Sequence, residues 1–98
     1  MKSVSAKAME ALPTAIWIPV NGMDPVFYRG SPLEMVQEMA SDMKEVDLHV
    51  AVKKILAGLA EHRRVTIQFP EGLPDEALSR LFVYALLATG IGRPMPLA

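Results

Sequence analysis

Apolar positions along this chain change period several times, and each change marks an element. In residues 14–29, TAIWIPVNGMDPVFYR, two runs rich in β-branched and aromatic side chains flank Asn21-Gly22: Ala15 to Val20 and Pro25 to Arg29. Asn-Gly supplies the positive φ angles that a tight turn needs, so the segment predicts a β-hairpin. Pro19 and Pro25 cannot donate to a ladder, which sends at least one strand to a sheet edge or a bulge. With Ile16 and Ile18 turned to the core, Trp17 falls on the outer sheet face. A one-residue slip would exchange the two faces.

The period then lengthens. Ser31-Pro32-Leu33-Glu34 holds a cap, a first-turn proline and the acidic residue of a capping box. Leu33, Val36, Met39, Ala40, Met43 and Val46 then recur on one helical face, opposite Glu34, Gln37, Glu38, Ser41 and Glu45. Asp47 predicts a second cap, and behind it Leu48, Ala51, Val52, Ile55, Leu56 and Leu59 form another single face. Residues 32–62 read either as two helices broken at Asp47 or as one kinked helix, and Asp47 in the middle favours two.

VTIQF at 65–69 alternates with period two and predicts a half-buried strand, with Val65, Ile67 and Phe69 inward. A last helix follows from about Pro74 to Thr89. Asp75 and Glu76 suit its positive N-terminal end, and Gly90 suits its stop. The order β-β-α-α-β-α predicts an α+β, two-layer sandwich, a small three-stranded sheet with helices on one face. Residues 1–13 read as an N-terminal arm, 14–91 as a single α/β domain, and 92–98 as an extended tail.

Composition narrows the function more than the fold. With 98 residues, 51% hydrophobic and 21% charged, the chain makes one folded domain. A net charge of −1 gives no general attraction for phosphates, so no nucleic-acid partner is expected. The longest apolar run, Leu81 to Ala88, falls far short of the roughly twenty residues a membrane helix needs. No membrane partner is expected, and no signal-like apolar run follows Lys2 and Lys7. The absence of cysteine removes disulfides and thiolates and fits a reducing compartment, so the expected location is cytoplasmic.

Candidate chemistry is sparse. His49 and His62 sit thirteen residues apart on one predicted helix, on well-separated sides that a single zinc ion does not readily bridge. No Gly-x-Ser-x-Gly elbow is present, and Ser41, Asp42, His49 and Ser79 read as solvent-facing helix positions. Gly90-Ile91-Gly92 follows a helix, whereas a dinucleotide loop follows a strand. Glu34/Glu38, Glu45/Asp47 and the basic cluster Lys53, Lys54, His62, Arg63, Arg64 read as solvated surface. No catalytic, cofactor-binding or metal-binding residue is assigned, and no cofactor is expected.

Two features point to contact surfaces. The last helix is apolar nearly all round: Ala77, Leu78, Leu81, Ala85 and Ala88 can face the core, while Val83 and Leu87 project from about the opposite side. A thin fold offers little to cover both sides, so Val83, Tyr84, Leu86 and Leu87 are expected to form a homodimer interface. The competing reading folds a terminal segment over them. Second, Met35, Met39 and Met43 step along one face at intervals of four and, with Trp17, form the other expected ligand or partner surface. Methionines at such spacing also fill cores. The chain therefore reads as a non-catalytic protein–protein interaction or regulatory module that self-associates and contacts another protein. One alternative is a small-ligand-binding domain or accessory enzyme subunit, with a pocket between the methionine face and the sheet near Trp17. Another is a minimal enzyme assembled across a dimer interface.

Overall fold

The computed structural model describes residues 13–19 and 24–94. Strands β1 (Ala15–Ile18) and β2 (Val26–Arg29) pair antiparallel, with Ile16 opposite Tyr28 and Trp17 opposite Phe27. The expected Asn21-Gly22 turn lies outside the described residues, as do residues 1–12 of the arm and 95–98 of the tail. The Gly30 amide donates to the Thr14 carbonyl at 2.8 Å, which sets the phase of the ladder. Ile16–Tyr28 is then a hydrogen-bonded pair. Trp17–Phe27 is a non-hydrogen-bonded one, the kind in which side chains come closest. Gly30 has φ +109°, and a Cβ there would stand 3.1 Å from Glu34 Cβ. Glycine is what allows β2 to run straight into a helix.

That helix, α1 (Pro32–Asp42), opens on the expected capping box. The Glu34 amide donates to Ser31 Oγ at 3.2 Å, and the Ser31 amide donates to Glu34 Oε1 at 3.0 Å. The Ser31 backbone amide and, after it, the Ser31 hydroxyl hold the Glu34 carboxyl below its ordinary range. The second helix, α2 (Leu48–His62), starts at Asp47, whose Oδ1 accepts from the amides of His49 and Val50. Between the two, Lys44 adopts φ +59°. Its amide donates to Ser41 O, and that of Glu45 donates to Ala40 O, both at 2.9 Å. This is a Schellman closure without its usual glycine.

Helix α3 (Asp75–Ala88) ends at Gly90 with φ +78°, and the chain turns back. A short β3 (Arg93–Pro94) then pairs antiparallel with β1, placing Trp17 opposite Arg93 and giving the sheet order β2-β1-β3. The α+β architecture, a three-stranded sheet with helices on one face, is the one the pattern predicts. The third strand is not the predicted segment. Residues 65–69 do alternate, with Val65, Ile67 and Phe69 half-buried and Thr66 and Gln68 exposed, yet they join no strand among the described residues. They run as an extended connection, with Val65 and Phe69 packed on the core. The berth beside β1 goes to the tail, because the end of α3 already lies there. Gly92 donates to Leu86 O at 2.9 Å, so the strand follows with little further loop to close.

The core gathers Ile16 and Tyr28 from the sheet, Met35, Val36 and Met39 from α1, Leu48 and Val52 from α2, and Leu78, Phe82, Val83 and Leu86 from α3, with Ile91. Helix α3 touches α1, α2 and β3, so it has neighbours on several sides. Its buried face is Leu78, Ser79, Phe82, Val83 and Leu86, turned by roughly 120° from the predicted one at 100° per residue. This corrects the expected interface. Val83 and Leu86 are 0% and 1% exposed and belong to the core, while Tyr84 and Leu87 are half-buried. An all-round apolar helix offers several faces, and the one carrying Phe82, the largest fully buried side chain, is the one turned inward. Ser79, expected on the polar side, is buried, and its hydroxyl has no hydrogen-bond partner among the described residues.

Candidate functional site

Alternation along β1 and β2 sends Ile16, Ile18 and Tyr28 toward the helices and Trp17, Phe27 and Arg29 to the other side. One row therefore crosses all three strands on the outer face: Phe27, Trp17, Arg93. Phe27 is 50% exposed, Trp17 is half-buried, and the Arg93 guanidinium lies 5.4 Å from the centre of the Trp17 ring. That distance is within cation–π range. Arg29 stands two positions from Phe27 on the same face.

Main-chain groups of Phe27 and Arg29 point away from β1 toward a sheet edge that pairs with no other strand among the described residues. The edge is only four residues long, is preceded by Pro25 and carries Arg29, all features that discourage strand addition.

The structure does not bring Trp17 and the methionines together. Met35 and Met39 are 0% and 4% exposed in the core, on the helix side of the sheet, and only Met43, at 39%, reaches the surface. A cavity of about 240 Å³ does lie between the methionine face and the sheet, but on the side away from Trp17. Ile18, Tyr28, Met39, Met43, Ile55 and Phe82 line it, and Asp42 stands at its rim. There the Tyr28 hydroxyl donates to Asp42 Oδ2 at 3.3 Å. Burial, reinforced by the negative charge of Asp42, pushes the Tyr28 phenol up to about 12.

Two wider concavities flank the helices. One, about 500 Å³, sits at the α1–α2 corner beside Lys44, Glu45, Val46 and Asp75. Lys54 Nζ donates to Glu45 Oε2 there at 2.8 Å, the main reason the Glu45 carboxyl is held low. The other, about 320 Å³, is lined by His49, Lys53, Phe69 and Glu71. His49 Nε2 lies 3.0 Å from Asp75 Oδ1, joining the first turns of α2 and α3. Both side chains are exposed, and no hydroxyl among the described residues is hydrogen-bonded to His49. His62 stands at the other end of α2. Among the described residues no three histidine or acidic side chains gather as a metal site would require, and no helix is long and apolar enough to cross a membrane.

No family model matches the chain, no curated protein matches its sequence, and no solved structure matches its fold. Two parts of this geometry escaped the sequence reading. Phe27 was within reach of it, since period two requires one of the adjacent pair Phe27-Tyr28 to face outward. Arg93 was not, because nothing in the tail's composition marks it as the partner of Trp17.

Proposed function

We propose that the chain is a non-catalytic protein–protein interaction module whose contact surface is the helix-free face of the sheet. The observation that carries this reading is the row Phe27–Trp17–Arg93, half-exposed aromatic surface with a guanidinium at one end. Aromatic and arginine side chains are the commonest anchors of protein interfaces. With Arg29 and Arg93 beside the rings, the fitting partner surface sets carboxylates among apolar side chains. Two copies meeting face to face would oppose like charges, so self-association is assigned to α3, through Tyr84 and Leu87. The cysteine-free composition suits work in the cytoplasm.

The test compares wild-type chain, Phe27→Glu and Leu87→Glu by light scattering at micromolar concentration and by capture of partners on immobilised chain. The expected result is a dimer disrupted by Leu87→Glu alone and a partner released by Phe27→Glu alone. A monomeric wild type removes the self-association. Partners held equally well by the folded Phe27→Glu variant remove the sheet-face reading.

A further inference from the structure

The cavity on the inner side of the sheet takes no part in the contact surface proposed above. All its walls but one are apolar: Ile18 from the sheet, Met39 and Met43 from α1, Ile55 from α2, Phe82 from α3. The exception is the couple at the rim. One Asp42 oxygen accepts from Tyr28, the other takes no protein donor among the described residues, and Glu38 adds negative charge nearby. Among the described residues no cationic side chain lines the cavity. Arg63 lies beyond it, donating to Pro19 O at 3.4 Å. At roughly 20–30 Å³ per non-hydrogen atom, a cavity of 240 Å³ holds about eight to twelve such atoms. Methionine walls adapt to the outline of what they hold.

From this geometry we infer that the cavity is a binding site for a small amphiphilic cation, an aromatic or branched aliphatic body carrying a protonated amine. The body replaces water against Met39, Ile55 and Phe82, and the ammonium donates to the free oxygen of Asp42. Size excludes larger cofactors, and the acidic rim selects against anions of the same shape.

Methionine-methyl NMR of the full chain tests this with three probes of near-equal size: phenethylamine, phenethyl alcohol and phenylacetate. The amine is expected to shift the Met39 and Met43 methyls saturably at millimolar concentration. The alcohol is expected to bind about three- to tenfold more weakly, as loss of one partly exposed charge-assisted bond implies, and the acetate weakest of all. Asp42→Asn should bring the amine down to the level of the alcohol. Should that variant fail to fold, the ranking of probes on wild type still decides. Three outcomes each overturn the site: no saturable shift with any probe, equal binding of amine and carboxylate, or unchanged amine affinity in folded Asp42→Asn.

Discussion

Tyr28 shows how one position combines packing and charge. Its ring faces the core, and its hydroxyl reaches the exposed Asp42. The phenol's pKa rises from 10.0 to about 12, because burial and then the neighbouring carboxylates oppose the phenolate. Below pH 10 both folded and unfolded chains keep this proton. Between pH 10 and about 12 only the unfolded chain releases it, so stability falls as pH rises through that window. Phenolate absorbance should therefore show a step near pH 12 that Tyr28→Phe abolishes; a wild type lacking that step would contradict the burial. Alternation made the inward turn of Ile16 and outward turn of Trp17 legible once the register was chosen. It could not show Ser79 as a buried hydroxyl, because that depends on how far α3 is rotated.

At the scale of elements, caps carried most of the readable information. Ser31, Glu34, Asp47 and Gly90 act locally, through atoms a few residues away, so their roles follow from sequence alone. The α1 stop is different. Lys44 occupies a left-handed conformation that costs a side-chain-bearing residue roughly 1 kcal/mol. Lys44→Gly should thus raise the melting temperature by a few degrees in calorimetry, roughly 4–8 °C per kcal/mol for a domain this size. A lower melting temperature would show that Lys44 makes compensating contacts. Residues 65–69 mark the limit of this local reading. Alternation reports which side chains are wet and which are dry, and an extended segment lying on a core satisfies it as well as a paired strand. Pairing depends on which backbone arrives beside β1, and the return of the chain after Gly90 delivered Arg93–Pro94 there.

Across the whole molecule, the orientation of α3 governs which surfaces remain. Because Val83 faces inward at 0% exposure, a charge there is a buried, unpaired charge and not a disrupted interface. Val83→Glu is expected to cost at least about 3–5 kcal/mol, a large share of a small domain's stability, and to abolish cooperative melting by circular dichroism. A folded Val83→Glu monomer would restore the outward reading. By itself the sequence determined the α+β class, the start of α1 and the inward turn of Val36, Met39 and Ala40, the boundaries and inner face of α2, and the start and stop of α3. These rest on local hydrogen bonds and on polar–apolar contrast within one segment. Met43 and Val46, expected on the same inner face of α1, are exposed because the helix stops at Asp42. Only the tertiary structure decided which face of α3 is buried, which segment completes the sheet, and that Trp17 and the methionines lie on opposite sides of it. A helix without a polar face carries no contrast to fix its rotation, and a two-residue strand has too few side chains to announce its partner. Those choices are made by the neighbours, through the packing of Phe82 and the path of the chain beyond Gly90.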